Sequence, residues 1–145
     1  MRLLADAMCG SLARLLRMCG HDTAYALDRG VEADDELLAL AESEGRVVVT
    51  RDRQLAERAP DSILVESKDV DEQLREVAAA GVSLDPTPGA RCGACNGALE
   101  ALPESASRPE YVPDDAGPVW RCRDCGQCFW RGSHWEDVEK RVADV

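Results

Sequence analysis

The sequence predicts an α/β fold, a parallel sheet flanked by helices, with a small cysteine-rich module behind it. Three observations predict it. Over residues 1–85, short apolar or β-branched runs alternate four times with helical spacings. The connections between those runs are too long for hairpins, which selects parallel pairing with helices on both faces. Five of the seven cysteines fall between Cys92 and Cys128, beyond the turn-rich segment Asp85-Pro86-Thr87-Pro88-Gly89, so composition changes where a linker belongs. The expected division is residues 1–85 and residues 90–145.

Each element has its own signal. Arg2 to Ala5 is a short apolar run ending at Asp6, and Leu12, Leu15, Leu16 and Cys19 follow at helical spacing up to Gly20. Thr23 to Leu27 reads as a second strand. Asp34 stands where an N-cap belongs, with Asp35 and Glu36 in the first turn and Leu37, Leu38, Leu40 and Ala41 as the apolar face before Gly45. Val47-Val48-Val49-Thr50 reads as a strand buried on both faces, and Asp52 to Ala59 as a short helix stopped by Pro60. Ile63-Leu64-Val65 is the fourth strand. Asp69 or Asp71 caps a helix carrying Val70, Leu74, Val77 and Ala78 and ending at Gly81. Beyond the linker we expect hairpin strands around Trp120 and Phe129-Trp130, a Pro- and Ser-rich loop before them, and a C-terminal helix from Trp135 to about Val142.

The formal net charge is -11, and both halves are acidic: 10 basic against 18 acidic groups in residues 1–85, 7 against 10 in residues 86–145. Taken alone, this charge opposes binding to polyanions. Lys68 and Lys140 are the two lysines beside fifteen arginines, a balance that resembles proteins of high-salt, halophilic cytoplasm, where screening shortens the reach of charge to a few ångströms. No apolar run reaches the roughly 18 residues of a membrane span, and none has signal-peptide form. A cytoplasmic protein without membrane partners is expected.

In a reducing compartment, closely spaced cysteines are metal ligands rather than disulfides. Cys92-Gly93-Ala94-Cys95 and Cys122-Arg123-Asp124-Cys125 supply two matched pairs, and zinc takes four thiolates in a tetrahedron from two such turns. Asn96-Gly97 and Gly126 follow the pairs, as tight ligand turns require. Cys128 and His134 are competing ligands, although Cys128 alternates with Phe129 and Trp130 as a core side chain would. Four thiolates leave zinc no open position, so its role is structural.

A second constellation is carboxylic. Ligands of open α/β sheets gather at the carboxyl ends of the strands. Asp6 closes the first strand, Asp34 and Asp35 lie between the second strand and its helix, Asp52 follows the third, and Glu66 closes the fourth. Clustered carboxylates repel unless a cation offsets them, and hard oxygen ligands suit Mg²⁺ or Mn²⁺, which activate water against phosphodiesters. Asp6, Asp35 and Asp52 are the candidate ligands, with Asp34 a further catalytic candidate. Arg14, Arg51 and the Gly10-Ser11 backbone at a helix N-terminus are the candidate phosphate contacts. The plain alternative is that Asp34 and Asp52 are N-caps and Asp35 a first-turn acid.

Asp6-Ala7-Met8-Cys9-Gly10-Ser11-Leu12-Ala13-Arg14, then Asp34-Asp35-Glu36-Leu37-Leu38, Val49-Thr50-Arg51-Asp52 and the stretch from Trp120 to Trp135 together resemble the Mut-seven C-terminal RNase domain family. The resemblance spans nearly the whole chain. It implies a PIN-like sheet joined to a zinc ribbon, metal-binding acids at Asp6, Asp34/Asp35 and Asp52, and ribonuclease activity with RNA as partner. The chain departs from the family's pattern at Cys9 and Cys19, at Leu15 where Trp is expected, and at Ser11 where a basic residue is common. One rival is a non-catalytic RNA- or protein-binding adaptor that uses the acids as caps. The other is a redox protein using Cys9, Cys19 and Cys128, which requires accessible, low-pKa thiols.

Overall fold

The structure is a computed structural model that describes residues 1–143 and 145, the side chains of Ser133 and His134 excepted. Its first part is a parallel four-stranded sheet, β1 (Arg2–Ala5), β2 (Asp22–Tyr25), β3 (Val47–Thr50) and β4 (Ser62–Leu64), in the order β2-β1-β3-β4. Helices α1 (Gly10–Met18), α2 (Asp34–Glu44), α3 (Arg53–Arg58) and α4 (Val70–Ala79) cross between or follow the strands. The expected α/β architecture is what forms.

Strand side chains alternate between faces, and the two faces are covered separately. Leu3, Ala5 and Val49 point into a core with Leu12 and Leu16 of α1 and Leu74 and Val77 of α4. Leu4, Ala24 and Val48 point the other way, against Leu37 and Ala41 of α2 and Leu55 of α3. Strands apolar at successive positions are required where both faces are buried, and Leu3, Leu4, Val48 and Val49 are fully enclosed.

Several local expectations shift. The second strand is Asp22–Tyr25 rather than Thr23–Leu27, because Ala26–Arg29 closes into a 3-10 turn ending at Gly30 in the left-handed region. Asp34 is not the N-cap of α2: Ala33 occupies that place without a side-chain bond, and Asp34, Asp35 and Glu36 form the first turn, where the helix dipole favours them. Asp52 and Asp69 do cap α3 and α4, accepting the N–H groups of Gln54 and Leu55 and of Glu72.

The second part is an antiparallel three-stranded sheet, β5 (Leu99–Ala101), β6 (Val119–Cys122) and β7 (Cys128–Trp130), followed by α5 (Ser133–Ala143). The sequence pointed to β6 and β7 but not β5, whose Leu-Glu-Ala favours helix locally and is extended by pairing Leu99 with Cys122 and Ala101 with Trp120. Its core is small: Val112, Val119 and Cys128, with Leu102, Ala116 and Trp130 against them.

The two sheets meet at β2, the edge of the parallel sheet. An edge strand presents unpaired backbone groups, and the Asn96 amide meets one of them, its Oδ1 accepting Thr23 N–H at 2.9 Å, while its Nδ2 donates to the Asp22 side chain at Oδ1, 2.7 Å away. Buried Arg17 donates to Thr23 O at 2.8 Å and to Gly93 O at 3.0 Å. On the far side, Arg141 of α5 pairs with Asp71 of α4 at 2.9 Å.

Candidate active site and metal centre

The strand order reverses at β1 and β3, since β2 lies to one side of β1 and β4 beyond β3. Ligand sites of open sheets sit in the crevice at the carboxyl ends beside that reversal. Asp6 leaves β1 there, anchored by its own N–H to Val49 O at 3.1 Å. Thr50, the last residue of β3, is fully buried; its hydroxyl donates to Asp6 Oδ2 and accepts the Asp52 N–H at 2.9 Å. One hydroxyl thus ties the Asp6 carboxylate to the turn that carries Asp52.

Asp6 is 7% exposed and works as a cap, its Oδ1 taking Met8 N–H at 3.1 Å. Cys9 lies against it. Burial first, then the charge and hydrogen bonding of Asp6, push the Cys9 thiol up to about 12. Asp52 is exposed, and its Oδ1 accepts Gln54 N–H at 2.9 Å and Leu55 N–H at 3.3 Å. Arg51 stands between the two acids in sequence, with a buried Nε that has no hydrogen-bond partner.

The remaining sequence-predicted residues spread around this point. Asp34 and Asp35 are exposed at the start of α2, and Asp35 pairs with Arg58 of α3. Hydrogen bonding to Asp35 holds the Arg58 guanidinium above its ordinary range, the charge of Asp34 adding to it. Ser11 is exposed in the first turn of α1. Arg14 lines the cleft between α1 and the second sheet. Glu66 pairs with Arg53 at 3.0 Å.

The cysteines do converge. The Sγ atoms of Cys92, Cys95, Cys122 and Cys125 all lie within 4.8 Å of one another, and this is the group of three or more metal-ligating side chains found among the described residues. Cys92 to Cys125 is 3.7 Å and Cys95 to Cys122 is 3.5 Å, close to the edge of roughly 3.8 Å that four Zn–S bonds of about 2.3 Å imply for a tetrahedron. The cluster could hold a zinc ion.

The two cysteine turns are built alike. Asn96 N–H donates to Cys92 O at 2.9 Å and Cys92 N–H to Gly97 O at 2.8 Å; Gly126 N–H donates to Cys122 O at 3.0 Å and Cys122 N–H to Gln127 O at 2.9 Å. Asn96 and Gly126 occupy equivalent places and both have positive φ, 73° and 79°. Burial pushes the Cys92 thiol up to about 12. Burial acts the same way on Cys122, but the N–H groups of Cys125 and Asp124 outweigh it and bring that thiol to about 7.

Cys128 is buried in the small core, outside the four-sulfur cluster, as its alternation with Phe129 and Trp130 suggested. The side chain of His134, the other competitor, lies outside what the structure describes. Cys9 and Cys19 are buried, with Cys19 raised to about 11 by burial and by Asp85. Buried, high-pKa thiols do not meet the needs of the redox alternative.

Sequence reasoning missed Thr50 and Asn96. A Thr two residues before Asp at a strand end is the signature of a side-chain turn, and an Asn in the place the other cysteine turn gives to glycine marks a left-handed position. Neither signal names the partner.

An open parallel sheet with an acidic switch point, joined to a four-cysteine antiparallel sheet, defines a PIN-like α/β protein with a cysteine ribbon. The chain belongs to the Mut7-C RNase domain family, whose model matches residues 1–142. No curated protein and no solved structure matches it significantly. Membership implies a ribonuclease, and hence an RNA substrate. Among the described residues, no helix is long and apolar enough to cross a membrane.

Proposed function

We propose that the chain is a Mg²⁺- or Mn²⁺-dependent endoribonuclease working at the switch point, with Asp6 and Asp52 as the principal carboxylates. The observation that carries this reading is the Thr50 hydroxyl, which joins the buried Asp6 carboxylate to the Asp52 turn. Mg²⁺ is commonly held by one or two carboxylates completed by water and substrate phosphates, so two acids at one crevice suit it. When bound, the ion would lower the pKa of a water and offset charge on the phosphodiester. Thr50 and the Met8 N–H hold Asp6 in one orientation. The unpartnered Nε of Arg51 is a donor for a phosphate oxygen. Asp34 and Asp35 are assigned to the outer edge of the site, with Ser11 at the α1 N-terminus as a phosphate contact. Zinc on the four cysteines is structural and maintains residues 90–145 as a unit attached to the nuclease domain of residues 1–85.

The test is cleavage of single-stranded RNA with Mn²⁺ in molar KCl, comparing wild type with Asp6→Asn and Asp52→Asn. Asparagine still caps a helix, so folding should survive both changes while cleavage drops at least a hundredfold. Activity that either variant retains in full removes that residue from the site.

A non-catalytic RNA- or protein-binding adaptor is favoured by one observation: Asp6 and Asp52 both spend an oxygen on capping. It predicts no Mn²⁺ binding at the switch point, which titration of the zinc-loaded protein measures directly.

A further inference from the structure

We infer that the cleft between α1 and the ribbon is a single-stranded RNA site that stacks bases on Trp120 and Phe129 beneath a rim of arginines. The inference rests on the ribonuclease reading for the identity of the polymer, and on geometry for the rest. The cleft encloses about 480 Å³. Trp120 and Phe129 pair across β6 and β7 and so share one face of the sheet, both only partly buried, while Trp130 packs on the other face against Val119 and Cys128. The indole edge of Trp120 is fixed by glycine. A Cβ at Gly89 would stand 2.4 Å from Trp120 Nε1. The Trp120 ring is therefore a preset platform, which is what sequence-tolerant stacking needs.

Charge selects the occupant. The chain carries 28 acidic residues in 145, yet no carboxylate is among the described residues lining this cleft, and Arg14, Arg91 and Arg131 are. Arg91 and Arg131 are steadied by Asp22 at 3.7 Å and Glu139 at 3.2 Å, both outside the lining. An anionic strand with flat faces fits such a surface; an acidic peptide would match its charge but leave the rings without stacking partners. Position agrees. Arg14 lies four residues beyond Gly10, about 6 Å along the α1 axis, and Gly10 opens α1 directly after the Asp6 turn. A strand lying in the cleft thus runs along α1 toward the switch point.

All three tryptophans, Trp135 included, line the cleft, so intrinsic fluorescence reports on it selectively. The experiment titrates the zinc-loaded full chain with a 2′-O-methyl uridine decamer, which resists hydrolysis, and with the matching abasic decamer. We expect saturable quenching by the first and at least about tenfold weaker binding of the second, the scale of lost stacking. Arg14→Ala, on the α1 wall of the cleft, should weaken binding several-fold and flatten its salt dependence. Trp120→Leu should weaken it about tenfold. No quenching, or equal binding of the abasic strand, overturns the site. The two readings fail separately: wild type that cleaves RNA without tryptophan quenching refutes the cleft alone. Quenching without cleavage refutes the nuclease and leaves the cleft standing.

Discussion

The parallel sheet and the cysteine ribbon are held together by different physics. The first buries two apolar layers, with Leu3, Leu12, Leu16, Val49, Leu74 and Val77 on one face and Leu4, Leu37, Val48 and Leu55 on the other. The second encloses Val112, Val119 and Cys128. A core of that size does not offset the conformational entropy of some fifty residues, whereas a four-thiolate zinc site contributes an apparent 10–16 kcal/mol or so in small domains. The difference teaches where each half is vulnerable: one to cavities, the other to loss of metal.

The sharpest way to break this comparison is therefore to remove a ligand. Cys122→Ser, or chelation of the wild type, should unfold residues 90–145, seen as loss of amide protection at β6 and β7, while protection at Val48 and Val49 persists. A ribbon still protected without metal would show that its apolar core suffices after all.

The seam between the halves should respond next. Asn96→Gly keeps the left-handed backbone conformation and deletes only the amide, leaving Thr23 N–H without its acceptor and removing one of Asp22's donors. Leaving such groups unmet costs about 1–3 kcal/mol. The expected outcome is a lower urea midpoint and faster exchange at Thr23 and Ala24, with zinc retained. An unchanged midpoint would mean that the two sheets are stabilised independently.

Within the parallel sheet, the two substitutions at Asp52 separate structure from chemistry. Asp52→Ala removes the cap of α3 and should cost about 1 kcal/mol, while Asp52→Asn keeps it. If Asp52 serves chemistry, both variants lose cleavage but only one loses stability. Equal stability loss in both would show that its charge at the α3 N-terminus matters more than its cap.

The legible parts of the molecule were those that local pattern decides. Val47-Val48-Val49-Thr50 could only be a strand buried on both sides, and the two Cys-x-x-Cys turns converge, as their matched spacing suggested, on a cluster that could hold a zinc ion. The acids were legible as a set at one sheet edge, since each follows a strand. What the pattern did not carry is which of them meet: Thr50 bridges 44 residues to Asp6, and Asn96 bridges 73 to Thr23. Such contacts depend on strand order, which periodicity does not encode. The same holds for Arg14, expected among the phosphate contacts of the acids. Its place on α1 was readable, but the ribbon wall that makes a cleft beside it was not.

The smallest effect concerns the opposite end of the parallel sheet, where polar groups rather than apolar ones connect the halves. Buried Arg46 donates to Leu3 O at 3.1 Å, to Asp22 O at 3.0 Å and to Asp22 Oδ1 at 2.9 Å, and its Nε reaches Glu44 at 2.7 Å. Hydrogen bonds from Arg29 and then Arg46 lower Glu44 from 4.5 to about 2. Burial opposes the shift at Asp22, but the Asn96 amide and Arg46 still hold it below its ordinary value. Both carboxylates bind protons more weakly folded than unfolded. Glu44's contribution is therefore complete above its unfolded value near 4.5 and is lost as pH falls toward about 2, and Asp22's, of the same sign, is complete above 3.8 and lost at lower pH. Glu44→Gln should leave stability at pH 6 lower by under about 1 kcal/mol and should flatten the decline between pH 4.5 and 2. Because Asp22 also holds Asn96, the wild type should lose ribbon-to-sheet coupling as pH falls below Asp22's ordinary 3.8, visible as faster exchange at Thr23 before β3 opens. If β3 and Thr23 lose protection together on acidification, the seam and the sheet are one cooperative unit and the division between halves is only one of chemistry.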